Sequence, residues 1–137
     1  MKTLLIILMV FISISSLAQG KNPRYTCDED SIFVIVDKMP EFPGGEIALR
    51  KFISENIKYP EDLPIEEVNI GKIYVEFCVT KKGKIERAKI IRSVHPKLDL
   101  EALRVINKLP KWTPGMQHGH PVCVYYTIPI SIRWEKK

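Results

Sequence analysis

The chain has 137 residues, 45% of them apolar and 27% charged, with 10 Pro, 7 Gly, 3 Cys and a formal net charge of +5. That balance fits one globular domain and excludes a multi-domain enzyme, a disordered chain and a disulfide-built miniprotein. Residues 1–18 read as a secretory signal peptide outside the fold. Lys2 is the basic start, residues 4–14 are apolar apart from Ser13, and Ser16-Leu17-Ala18 is a small-x-small cleavage site. The apolar run is shorter than the roughly 20 residues a membrane span needs, so export with cleavage is expected, and inner-membrane anchoring only if the signal stays uncleaved.

Residues 19–31 are polar, with Pro23 and the cluster Asp28-Glu29-Asp30, and read as a flexible leader. The β-branched run 32–36 predicts a short strand. Two prolines and two glycines within 40–45 then forbid regular structure, and Phe42 between them reads as a core plug. Over 46–57 the spacing predicts a helix with Leu49, Phe52, Ile53 and Ile57 on one face, ended by Tyr59-Pro60. A polar connector, 61–69, leads to a hairpin. Ile73, Val75, Phe77 and Val79 alternate with polar positions, Gly83 serves the turn 81–84, and the return strand covers 84–92. Asp99 is the expected N-cap of a second helix whose Ala102, Leu103, Ile106 and Leu109 face the core, stopped by Pro110. After the bend 112–115, apolar residues alternate from Val122 to Ile132 in the longest strand. The expected domain, 32–137, is α+β in the order β-α-β-β-α-β with a mainly antiparallel sheet.

Catalytic signatures are absent. There is no GxSxG, P-loop, HExxH or GxGxxG, so no enzyme and no cofactor is expected. His118-x-His120-x-x-Cys123 matches no zinc spacing and reads as a hairpin tip beside a strand cysteine. Glu76 and Glu86 fall on a solvated strand face, unsuited to a raised pKa. By strand parity Cys78 and Cys123 lie on the same side of the sheet, where they can bridge if their strands are adjacent and in register, leaving Cys27 free. The basic residues Lys81, Lys82, Lys84, Arg87, Lys89 and Arg92 gather on one hairpin. No aromatic residues interleave them, so nucleic acid is not an expected partner.

Seven short motifs in order resemble one family. They are Tyr59-Pro60, residues 71–79, Gly83-Lys84-Ile85, Arg92-Ser93, Leu98-Asp99-x-Glu101-Ala102-Leu103, Trp112-Thr113-Pro114-Gly115 and the ending Ile128-Pro129-Ile130. Together with the lead-in 39–45 they are similar to the TonB C-terminal domain, here in a stand-alone exported form. The resemblance implies a periplasmic module that binds extended segments of TonB-dependent outer-membrane receptors, or other extended peptides, by strand addition. Carried over by position, the docking edge is the strand 122–132. It brings Val122, Cys123, Val124, Tyr125, Tyr126, Thr127, Ile128, Ser131 and Arg133, with Tyr59 and Pro60 as further contacts. In the TonB-like order that strand lies beside 72–79; a split βαβ order would put the two at opposite edges. Energy transducers of the family carry an anchor and a long spacer, whereas the leader here reaches at most roughly 45 Å. A second reading is a structural envelope protein that holds peptidoglycan or another anionic polymer through the basic hairpin. Edge strands also admit a homodimer by strand pairing.

Overall fold

The computed structural model describes residues 24–63 and 71–132. The signal sequence expected over 1–18 and the edge candidate Arg133 lie outside them. The order of elements is α1 (Gly45–Asn56), β1 (Gly71–Val79), β2 (Ile85–Arg92), α2 (Pro96–Ile106), β3 (Gly115–Gln117), β4 (His120–Val122) and β5 (Val124–Ile132).

β1 forms because its apolar residues recur every second position, and it becomes the middle of a three-stranded antiparallel sheet ordered β2-β1-β5. Ile73, Val75, Phe77 and Val79 are fully buried on one face. Both helices pack over that face, and Leu49, Ile53, Leu98, Ala102, Val105 and Ile106 complete the main core with Ile128, Ile130 and Ile132 of β5. The split βαβ order is thereby excluded, because β1 and β5 are neighbours over nine continuous pairs, from Gly71↔Ile132 to Val79↔Val124.

The two outer strands differ. β2 is irregular against β1, with register shifts that leave Ile91 as an extra residue and set two residues, Arg87 and Ala88, against Phe77 alone. Arg87 sits at φ 56°, the left-handed region that costs a side-chain-bearing residue about 1–2 kcal/mol. β5 has no shift at all.

Turns follow their residues. Gly83 adopts φ 79° and Thr80 closes the loop, donating its backbone N–H to Lys84 O at 2.8 Å and accepting Gly83 N–H at 2.9 Å. Between β3 and β4, His118 (φ 50°) and Gly119 (φ 77°) form a two-residue turn with both central residues left-handed, the form that suits a tight hairpin.

Four expectations need correction. The run 32–36 is not a continuous strand: Phe33 makes one isolated bridge, and Val34 and Ile35 are 68% and 82% exposed. The last long strand begins at Val124, since 120–122 pairs back on 115–117 before the chain turns into the sheet. The cap of α2 is His95, whose Nδ1 accepts Lys97 N–H at 3.1 Å, with Pro96 supplying a ready-made φ at the first helical position. Asp99 instead reaches back from the first turn to the Ser93 hydroxyl and the Val94 N–H.

The fourth correction concerns the leader and the cysteines. Cys27 is buried and disulfide-bonded to Cys123, with Cα atoms 6.3 Å apart; Cys78 is the free thiol. Parity did place Cys78 and Cys123 on one side, in a small second cluster on the sheet face opposite the helices. Register decided the partner. Tyr125 lies opposite Cys78, so Cys123 falls two residues further on, beyond the last β1–β5 pair. The leader folds across this face and presents Cys27. Thr26 donates its N–H (2.8 Å) and hydroxyl (2.5 Å) to Glu86 Oε1, Arg87 donates to Cys27 O at 2.9 Å, and the Arg87 guanidinium lies 4.3 Å over the Tyr25 ring. Glu86 and Arg87, expected on a solvated strand, are therefore the leader's attachment points.

Candidate peptide-docking edge

Backbone direction along β5 follows from one bond. Tyr125 donates its N–H outward, to Phe33 O at 2.8 Å, and in a strand successive residues alternate in the side to which their N–H and C=O point. Tyr125, Thr127, Pro129 and Ser131 therefore aim their backbone groups away from β1, while Val124, Tyr126, Ile128, Ile130 and Ile132 aim theirs at it.

Phe33 occupies the start of that edge by a parallel bridge, accepting from Tyr125 and donating its own N–H to Cys123 O at 2.9 Å. The chain then leaves the sheet. Lys38 pairs with Met116 (3.0 and 2.8 Å) and Glu41 with Thr113 (3.0 and 2.8 Å), while Asp37 accepts His118 N–H at 2.9 Å. Among the described residues, nothing pairs with the outward groups from the Tyr125 carbonyl to Ser131. Thr127, Pro129 and Ser131 are exposed. Pro129 has no N–H to offer, and it stands at an outward position, where a sheet tolerates proline.

Side chains flank this edge on two faces. On the helical face Tyr126 is half-buried against Trp112, ring centroids 5.0 Å apart, and Trp112 stacks edge-on to Phe77 (5.4 Å) and Phe42 (5.8 Å). Phe42 is thus the core plug its flanking prolines suggested. Met39, Pro40, Phe42, Leu49, Trp112 and Tyr126 line a cleft of about 310 Å³, with Glu41 and Glu46 beside them. The Trp112 indole N–H is buried with no hydrogen-bond partner among the described residues. Burial, then the Glu46 and Glu41 charges, push the Tyr126 hydroxyl above its ordinary range. On the opposite face Tyr125 packs against the sulfur cluster, and its hydroxyl is pushed up by burial and then by Glu29.

The other candidates lie apart. Tyr59 packs on the main core in the loop after α1, and Pro60 accepts Leu63 N–H at 3.4 Å, on a different element from the edge. Val122 belongs to β4, and Cys123 is consumed by the disulfide and by Phe33. Of the basic hairpin, Arg87 is turned onto the leader and Lys89 lies 3.6 Å from Glu76. The sequence left open whether the run 32–36 covers this edge; Phe33 alone of that run does so, by its single bridge to Val124.

Residues 55–133 match the family model described as the Gram-negative bacterial TonB protein C-terminal. The solution structure of the Helicobacter pylori TonB C-terminal domain is similar at 21% identity and a TM-score of 0.50, covering 66% of this chain and 95% of that one. No curated protein matched the chain. Among the described residues no helix is long and apolar enough to cross a membrane. Because the family match spans more than half of the chain, the protein belongs to the TonB C-terminal family.

Proposed function

We propose that this protein is a periplasmic module of TonB-dependent transport that binds an extended segment of an outer-membrane receptor as an added strand on β5. One observation carries the reading. β5 is a nine-residue strand paired without a shift to β1, and its outward backbone groups from Tyr125 O to Ser131 are open among the described residues. Strand addition draws affinity from main-chain hydrogen bonds and selectivity from alternate side chains. The bulged β2 edge is the poorer template, because its extra residues break the repeat a guest must match.

Titration of the mature protein with a receptor-derived extended peptide tests this. Saturable binding that persists at high salt, with amide shifts confined to residues 125–131, supports it. Binding only to isolated cell-wall fragments, lost as salt screens the charges, would favour the polymer-holding alternative. Arg87 and Lys89, already engaged with protein partners, weaken that alternative.

A further inference from the structure

The sulfur cluster has a property that the staple alone does not require. The Sγ atoms of Cys27, Cys78 and Cys123 all lie within 4.8 Å of one another, and all three residues are buried. Two of them are joined; the third is a thiol facing that bond. We infer that this is a reactive site, in which Cys78 attacks the Cys27–Cys123 disulfide at Cys123 Sγ and moves the bridge to Cys78–Cys123.

The step balances without an added oxidant or reductant. The Cys78 thiol gives its proton to water, and its sulfur lone pair forms the Cys78–Cys123 bond. The Cys27–Cys123 bond breaks with its electron pair going to Cys27, which takes up a proton. Placement favours Cys123 as the sulfur attacked. Cys78 is on β1, and Cys123 directly precedes Val124, the residue paired with Val79, so the new bridge joins adjacent strands. Cys123 also lies between β4 and β5 rather than inside either, so its own backbone groups take no part in the β1–β5 ladder. Cys27, the leaving sulfur, is on the leader, which hydrogen bonds to Glu86 and Arg87 hold once the bridge has moved. Phe33 then keeps its place on β5 by two backbone bonds without a covalent tether six residues away. None of this requires a docked guest, so it stands or falls apart from the strand-addition reading.

The surroundings set the resting rate. Burial first, then Glu86, push the Cys78 thiol up to about 11, against opposing contributions from Arg87 and the Val124 backbone; Tyr125 packs on the same cluster from β5. The thiolate is the nucleophile, so exchange below that pKa rises about tenfold per pH unit, or roughly 100-fold from pH 7 to pH 9.

Cys27, Cys78 and Cys123 fall on three different tryptic peptides, so the site can be mapped directly. The oxidised full mature chain is incubated at pH 7 and pH 9 with a maleimide present, then digested without reduction. The expected result is alkylated Cys27 together with a Cys78–Cys123 linked pair, accumulating roughly 100-fold faster at pH 9 and absent in Cys78→Ser. Alkylation of Cys78 alone, a Cys27–Cys78 pair, or equally fast Cys27 labelling in Cys78→Ser would overturn the inference. Cys27→Ser gives an independent check. Folded, mildly oxidised Cys27→Ser should contain the Cys78–Cys123 bridge, and two persistent free thiols there would refute it.

Discussion

Phe33 and Tyr125 are joined backbone to backbone, Tyr125 N–H to Phe33 O at 2.8 Å, in a single parallel bridge at one end of β5. The protein's own chain thus covers the first outward groups of the edge and then departs toward Met116. Phe33→Pro removes the N–H that Cys123 O accepts and loosens this cap. The expected outcome is guest-peptide affinity higher by about fivefold, equivalent to about 1 kcal/mol for a backbone bond gained, in calorimetric titration. Unchanged or weaker binding would mean that guests do not use this end.

Thr127 and Ile128 test the direction of the backbone. Thr127 points outward, as Pro129 does, so Thr127→Pro should leave the fold intact and weaken peptide binding by about 5- to 10-fold. Ile128→Pro removes a bond to β1 and buries its ring in the core, and should unfold the domain. Circular dichroism beside the titration separates the two. Equal effects of both substitutions would contradict the assigned alternation.

Gly83 is irreplaceable on geometric grounds. A Cβ there would lie 1.9 Å from the Trp112 carbonyl oxygen, at a φ of 79° that side chains avoid, and Trp112 N–H is already bonded to Gly83 O at 2.9 Å. Neither backbone can retreat. Gly83→Ala should cost about 2–4 kcal/mol in urea unfolding, well above the ordinary glycine-to-alanine effect.

Glu101 couples the two helices. Its carboxylate accepts from the Arg104 guanidinium and from Lys58 N–H at 2.8 Å, while Arg104 donates to Asn56 O at 2.7 Å, at the end of α1. The Arg104 hydrogen bond first, and then Lys58, hold the Glu101 carboxyl below its ordinary 4.5. A lowered folded pKa gives stability that is complete above the unfolded value and lost as pH falls through the folded one. Glu101→Gln should therefore lower the melting temperature at pH 7, and lower it progressively less at acid pH, from 4.5 downward. An equal loss at neutral and acid pH would mean that the charge is not what matters.

Local pattern revealed much of this molecule. The period-2 burial of Ile73 to Val79 and the helical spacing of Leu49 and Ile53 are properties of neighbours in the chain, so β1, β2 and α1 were predicted to within a residue or so. Gly83 and the His118-Gly119 tip were readable because their residues carry the turn chemistry. The cysteine partner was not. It depends on the leader crossing the sheet to Glu86 and Arg87, a contact some 60 residues away in sequence, and on a register that offsets Cys78 from Cys123. The Arg87 bulge was hidden for a similar reason, since only a cross-strand comparison shows the extra residue. For the edge, alternation identified the strand, but its open length depends on where Phe33 lands.

The contrast between a kinked β2 and a straight β5 governs how copies of this molecule can meet. Open-ended polymer growth requires two unlike borders, each receptive to the other, and here one of the two is misshapen. An encounter through β5 spends that border on both sides and terminates itself. The molecule is thereby spared from becoming the seed of a fibre.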